Sequence, residues 1–318
     1  MVFEHPELPL KLLENLYQGK ASLSLKWDGA PAIFCGNDEK GFFLGRKGVF
    51  NKTPIRPRDV DTLLATSPPG LGPTLADLFD YLYPYRDMFD GIWQGDLLFS
   101  PDTLEYKDNI ISFQPNIIKY KLLMEEMEEM VFGVIWHTFY QKEGGIWWNQ
   151  SIPPKIPGIY NNNNNINYNN FSYHNLSCTN ESLIGLNDIA LHKIVIQYIN
   201  ACIKMNQHID LDDFLDFLTH KKKNAITFHQ KHLKELFNVR QEVQLAKQHI
   251  LDQLVIPEIE TYLTKQDGTE IPCKHEGFVL RDGNLRRMAK LVDRQGFSRD
   301  NFNVSGDLKR GWQCGETS

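Results

Sequence analysis

The sequence predicts an α+β fold built on antiparallel sheet, with a block of helices inserted late in the chain. Three observations lead there. Short apolar or alternating runs bounded by Gly, Pro, Asn and Asp recur at 21–50, 93–99, 131–136 and 276–292, which is a strand signature. Two turn signals, Gly36–Lys40 and Asp282-Gly283-Asn284, join neighbouring runs as antiparallel hairpins. Residues 181–255 carry helical spacing instead.

In chain order, Ser22, Ser24 and Lys26 alternate with Leu23 and Leu25. That period is a half-buried strand, with the leucines on one face and Lys26 on the other. A Gly29-Ala30-Pro31 turn follows. Ala32–Cys35 and Gly41–Leu44 read as two strands joined by Gly36–Lys40. Pro54 to Pro73 is rich in Pro and Gly and reads as mostly loop. Leu75–Leu82 has helical spacing, with Thr74 placed to cap it. Trp93–Phe99 is a strand carrying Asp96, and Leu122–Met130 reads as a short acidic helix ahead of a strand at Val131–Trp136.

Residues 141–180 contain an unbroken asparagine run, Asn161–Asn165, with more asparagines after it. Such a stretch offers little apolar area to bury and is expected to be a flexible loop. Residues 181–256 form the helical insertion. Its last helix carries one apolar stripe, Leu236, Val239, Val243, Ala246 and Ile250. The stripe reads as a packing face, since it is too short for sustained heptads. Between Lys221 and Ile250 there are seven Lys/Arg against two acids, a net of +5. A solvated helix face and a nucleic-acid backbone contact both account for that excess. The expected organisation is one sheet domain in two parts, 1–140 and 257–318, separated by the loop 141–180 and the insertion 181–256.

Composition narrows the class. The 318 residues, 42% hydrophobic, suffice for a sizeable core. Five scattered cysteines without a Cys-x-x-Cys argue against a disulfide framework or a four-cysteine zinc site. The pair His174 and Cys178 reads as incidental. No apolar run approaches the ~18 residues a membrane span needs. The N-terminus shows neither a basic start nor an apolar stretch, so no secretory signal is expected. The expectation is a cytoplasmic protein. The net charge of −6 gives no global attraction to nucleic acid, so any such contact must come from local patches.

The chemistry-bearing segments come in a fixed order. They are Lys26-Trp27-Asp28-Gly29, Arg46-Lys47-Gly48, Gln94-Gly95-Asp96, Phe132-Gly133-Val134-Ile135-Trp136, Glu276-Gly277-Phe278-Val279 and Met288-Ala289-Lys290. In this order they resemble the covalent nucleotidyltransferase superfamily, the ATP-dependent DNA and RNA ligases and mRNA-capping guanylyltransferases. The resemblance covers roughly residues 20–140 and 270–295. Lys-Trp-Asp-Gly-Ala-Pro and Gly-Asp-Leu-Leu-Phe also look similar to segments of phage and giant-virus ligase-like proteins. If the chain is viral, the compartment is the host or viral-factory cytoplasm.

The resemblance implies an antiparallel nucleotidyltransferase fold, ATP and Mg²⁺ as cofactors, and nucleic-acid ends as partners. Lys26 would be the nucleophile that takes AMP from ATP. A free lysine titrates near ~10.4, so its surroundings must deprotonate it. Asp28 would orient the amine or accept from the nucleotide if the strand continues through it. Arg46 would contact the ribose or the acceptor end. Asp96 stands where the family has glutamate in an Asp-Gly-Glu pattern, and would bind ribose or metal with a shorter reach. Phe132 is either an adenine-stacking aromatic or a core phenylalanine. Glu276 would bind metal or ribose, and Lys290 would neutralise the α-phosphate. The family often has two lysines there, spaced Lys-x-Lys; this chain has Met288-x-Lys290, with Arg281, Arg286 or Arg287 available to compensate. His137 is either a satisfied core histidine or a site residue.

The expected function is an ATP-dependent polynucleotide ligase, with RNA slightly favoured over DNA. About two dozen residues follow Val292, too few for the roughly five-stranded barrel of DNA ligases and capping enzymes. The same shortage weighs against the alternative of a capping-type guanylyltransferase. A second alternative is a ligase-like module that binds nucleotide or nucleic acid with weak or no catalysis.

Overall fold

A computed structural model describes residues 7–123, 130–140, 146–147, 155–157, 159–160, 195, 197–199, 201–202, 205, 207, 209, 211–220, 230–254, 256, 259–282, 287–292 and 307–312. The chain begins with α1 (Glu7–Tyr17), β1 (Ala21–Leu25), β2 (Ala32–Asp38) and β3 (Gly41–Gly45). A 3-10 turn (Lys47–Phe50) leads to α2 (Val60–Thr66) and α3 (Gly72–Leu82). Then come β4 (Ile92–Phe99), β5 (Glu105–Lys107), β6 (Ile110–Phe113), β7 (Ile118–Leu123) and β8 (Phe132–Tyr140). Two short strands, β9 (Ile146–Trp147) and β10 (Ile159–Tyr160), precede α4 (Leu211–His220) and α5 (Gln230–Gln253). The chain closes on β11 (Ile259–Thr264), β12 (Glu270–Pro272), β13 (Gly277–Asp282) and β14 (Arg287–Val292). The expected α+β class with mostly antiparallel sheet is what the chain adopts; of the named strand pairs only β8 with β10 is parallel.

The chain divides into two compact units. The first gathers Met1–Leu25, Asn165–Val255 and Glu276–Ser305. Its sheet runs β1-β13-β14. Leu23 and Leu25 pair with Leu280 and Phe278, and all four are buried. α1 contributes Leu12, Leu13 and Leu16 to this core, at the spacing of one helix face. Asn15 on α1 donates to the fully buried Asp282 carboxylate at 2.5 Å. The apolar stripe of α5 packs as expected at Ala246 and Ile250, and Lys247 Nζ donates to the Val292 carbonyl at 2.8 Å. The predicted β13–β14 hairpin forms in the register Asp282↔Arg287; its turn lies outside the described residues. Gly277 opens β13 at φ +134, where an added Cβ would stand 2.1 Å from the Leu291 carbonyl oxygen, so only glycine fits.

The second unit gathers Lys26–Asn164, Ile256–His275 and Gly306–Ser318. Its larger sheet runs β10-β8-β4-β2-β3, with β9 added on β8. One face buries Ile33, Leu44, Trp93, Leu97, Phe132, Val134 and Trp136 under α2 and α3, whose Leu63, Leu75 and Leu78 meet them. A second sheet runs β12-β11-β7-β6-β5. In β7, Ile118, Tyr120 and Leu122 are buried while Lys119 and Lys121 face out. Lys119 pairs with Glu105 and Glu270, and Lys121 also pairs with Glu270.

Four local expectations change. The Pro54–Pro73 stretch holds α2, because Asp59 caps it by accepting from the Thr62 N–H at 2.7 Å. α3 starts at Gly72, so Thr74 lies inside its first turn, buried, and does not cap it. Leu122 and Leu123 end β7 and do not begin a helix; residues 124–129 lie outside the described set. Ser24 is buried along with the leucines, so β1 is covered on both faces. The asparagine run and the cations Lys221, Lys222 and Lys223 fall outside the described residues. None of the described helices is long and apolar enough to cross a membrane.

Candidate active site

The Lys26-Trp27-Asp28-Gly29 segment is the turn that enters the larger sheet. β1 ends at Leu25, so the strand does not continue through Asp28. Trp27 is 4% exposed and packs against Tyr120 (4.9 Å between ring centroids), Phe113 (6.0 Å) and Tyr160 (6.1 Å). Asp28 is also buried. Its backbone N–H donates to the Tyr120 hydroxyl at 2.7 Å. Its carboxylate accepts from Asn116 Nδ2 (3.0 Å), Ile117 N (3.2 Å) and Ile118 N (3.4 Å). The acid therefore clamps the turn to the start of β7, a structural task that the sequence does not advertise.

Gly29 lies directly on β4. A Cβ there would stand 2.6 Å from Asp96 Cβ and 3.1 Å from Leu98 Cδ2. Ala30 N donates to the Leu97 carbonyl and Leu97 N to the Pro31 carbonyl, both at 3.1 Å. Motif and acidic strand, far apart in sequence, are thus stitched together by backbone. Lys26 is half-buried, with Nζ 3.5 Å from the Trp27 carbonyl oxygen.

Asp96 is half-buried on the sheet face opposite the helices. The register Ala32↔Asp96↔Ile135 fixes this, since neighbouring Leu97 and Val134 both enter the helix-side core. A bulge in β8 between the pairs Gln94↔Thr138 and Gly95↔Trp136 inserts His137. The bulge brings His137 Nε2 to 3.6 Å from Asp96 Oδ1, while its Nδ1 meets Thr138 Oγ1 at 2.8 Å. His137 is thus a neighbour of the acid and not a core residue. Further along this face Gln94 accepts from the Tyr140 hydroxyl at 2.7 Å, and Phe34, Phe50 and Tyr140 form an aromatic group.

Phe132 sits on the other face. It is 2% exposed, in the helix-side core, with its ring 5.5 Å from that of Tyr81. Of its two readings, the core one describes its position; Ile135 is the β8 residue level with Asp96. Arg46 is exposed, immediately after β3, and lines a cleft of about 260 Å³ with Lys47, Gly48, Ile55, Thr66 and Ser67.

Glu276 and Lys290 belong to the first unit. Glu276 is half-buried just ahead of β13. Lys290 is exposed on β14, in the row Ser24↔Val279↔Lys290 across the sheet, so these three share a face. Among the described residues, no group of three or more His, Cys, Asp or Glu side chains clusters to hold a metal. Mg²⁺ does not need such a cluster, since one or two carboxylates plus substrate phosphates satisfy it. Asp96, half-buried beside His137, can supply one such carboxylate.

In the basic helical segment Lys234 is the exposed cation among the described Lys and Arg side chains. Arg240 is largely buried and desolvation pushes its guanidinium down from the usual value, while Lys247 is spent on the Val292 carbonyl. A richer cationic stretch escaped notice. Residues 40–58 hold Lys40, Arg46, Lys47, Lys52, Arg56 and Arg58 and no acid. A charge tally confined to that window would have found it.

A family model described as "Family of unknown function (DUF6267)" matches residues 7–147 and 215–306. Those segments contain the six chemistry-bearing segments from Lys26-Trp27-Asp28-Gly29 to Met288-Ala289-Lys290 and leave out the asparagine run. Neither the curated proteins nor the solved structures gave a match.

Proposed function

We propose that this chain, which belongs to the family of unknown function DUF6267, is an ATP-dependent polynucleotide ligase working through a covalent lysyl-AMP on Lys26. The observation that carries the reading is the fixed placement of the lysine turn on the Asp96 strand. Trp27 is sunk in an aromatic core, Asp28 is held by three N–H donors and Gly29 lies against Asp96. A nucleophile acts well when its neighbours hold it rigidly near the group that positions its substrate.

In the proposed first step the Lys26 Nζ lone pair attacks the α-phosphorus of ATP. A P–N bond forms, the bond to pyrophosphate breaks, and the amine gives up its proton. AMP then passes to a 5′-phosphate, and attack by a 3′-hydroxyl closes the strand and releases AMP. Asp96 would hold ribose or Mg²⁺, which when bound supplies positive charge to the phosphates. For Glu276 and Lys290, the roles of ribose or metal ligand and of phosphate neutraliser rest on the family resemblance alone. Arg46 remains a proposed contact to the ribose or acceptor end. RNA is the favoured substrate over DNA.

The test is covalent labelling. The protein is incubated with α-³²P-ATP and Mg²⁺, denatured, and examined for acid-labile label. Label from ATP that is absent in Lys26→Ala is the expected result. Label from GTP alone would point to a capping-type guanylyltransferase. A folded protein that takes no label from either nucleotide would leave only nucleotide or nucleic-acid binding.

A further inference from the structure

We infer that the outer edge of β3, with the turn and loop that follow it, is a binding surface for single-stranded polynucleotide, an inference that rests on the ligase reading and gives its substrate a place. Charge is the first ground. Residues 40–58 carry six cations and no acid, in a chain whose net charge is −6. Lys40, Arg46, Lys47 and Lys52 are exposed.

Order is the second ground. The loop runs back along β3, with Ile55 N donating to the Gly48 carbonyl and Leu44 N to the Pro57 carbonyl, each at 3.1 Å. Arg56 and Arg58 lie over the Phe43 ring at 5.1 and 5.7 Å from its centroid, and both pair with Asp38. These two arginines hold the loop down, so the exposed cations are displayed from a fastened frame. The loop also covers the β3 edge against strand addition, which disfavours an extended peptide as the occupant.

The third ground is an aromatic at the same place. Phe50 is 45% exposed at the end of the 3-10 turn. Its ring packs at 4.7 Å on Tyr140 and 5.3 Å on Phe34, which leaves the rest of its surface open. Cations that track a phosphate backbone beside an aromatic that stacks bases are the elements of single-strand recognition. A duplex keeps its base faces stacked inside and makes no use of Phe50. By strand register, Phe34 and Gln94 share the sheet face of Asp96, so a strand lying on Phe50 is on the side where the proposed chemistry occurs.

The experiment measures fluorescence anisotropy of a fluorescein-labelled oligonucleotide of about 20 nucleotides, as RNA and as DNA, titrated with the whole protein without ATP at several salt concentrations. Lys47→Glu combined with Lys52→Glu should weaken binding about tenfold or more and reduce the steepness of the log–log salt dependence by about 1.4, two contacts at ~0.7 each. Phe50→Ala should weaken binding about fivefold or more, with little change in salt slope. Lys11→Glu combined with Lys107→Glu makes the same charge change at exposed positions elsewhere and should leave affinity within about twofold. Melting temperatures check the folding of each variant. Lys52→Ala alone, which changes one exposed side chain, serves if the double variant does not fold.

The inference is overturned if the wild-type protein ignores both oligonucleotides. It is equally overturned if it prefers duplex or phosphatidylserine vesicles, or if the control pair weakens binding as much as the Lys47/Lys52 pair. Adenylation is read separately. A protein that takes AMP yet binds no oligonucleotide keeps the ligase chemistry and loses this surface; one that binds here without taking AMP does the reverse.

Discussion

Asp28 accepts from Asn116 Nδ2 and from the backbone N–H groups of Ile117 and Ile118, and two of these three bonds are fully buried. Removing the carboxylate strands those donors, and each stranded buried donor costs about 1–3 kcal/mol. Asp28→Ala should therefore lower unfolding free energy by about 3 kcal/mol, measured by urea denaturation followed through tryptophan fluorescence, since Trp27 lies beside Tyr120. Asp28→Asn keeps one acceptor oxygen and should lose about half as much. A drop in AMP labelling for Asp28→Asn with unchanged stability would instead give Asp28 a direct role in the chemistry. The sequence marked Asp28 as an acid near a lysine and could not show this, because its partners lie about 90 residues away. Trp27 was legible only as the variable position of a motif, yet its burial fixes the turn.

At the scale of elements, local period served well and non-local pairing did not. The β2–β3 and β13–β14 hairpins follow from apolar runs interrupted by turn residues, and both formed in register. The β5–β7 and β11–β12 sheet joins residues 105–123 to 259–272, a pairing that no local pattern announces. α2 was hidden among prolines because one capping aspartate started it. His137 reached Asp96 through a bulge, and a regular two-residue alternation cannot foresee an inserted residue. The loop after β3 shows how an element is fastened from outside the ladder. Burial raises the Asp38 carboxyl, but hydrogen bonds from Arg58 and Arg56, with the Lys40 N–H, outweigh it and hold it at about 2, below the ordinary 3.8. A depressed folded value means that this contribution is complete above about pH 4 and is lost as pH falls toward 2. Asp38 is partly solvated, so the contribution is about 1 kcal/mol, less than the full shift implies. Urea midpoints at pH 5 and pH 2.5 should differ less in Asp38→Asn than in the wild type; an equal difference would mean that the arginines do not hold the loop through this acid.

At the scale of the molecule, the first unit is built from distant parts of the chain. β1, β13 and β14 make one sheet, and Asn15 meets Asp282 across 267 residues. The helical segment read as an insertion belongs to this unit, which also takes in Met1–Leu25 and Glu276–Ser305. A division drawn along the sequence, with sheet at 1–140 and 257–318 and helices between, does not reveal such interleaving, because contact and chain order part company here. The arrangement has a measurable consequence. Asp282 is fully buried, and its carboxyl accepts a hydrogen bond from the Asn15 amide. Asn15→Ala removes a hydrogen bond to a carboxyl oxygen that stays buried, which costs about 2 kcal/mol. That loss should raise amide exchange rates in β13 and β14 by about 30-fold, read by hydrogen-exchange mass spectrometry. All six tryptophans (Trp27, Trp93, Trp136, Trp147, Trp148 and Trp312) lie in the second unit, so fluorescence reports that unit alone. Its denaturation midpoint should stay at the wild-type value in Asn15→Ala. An equal fall in both readouts would show that the loss is not confined to the first unit. Unchanged exchange in β13 and β14 would show that Asp282 is held well enough without Asn15.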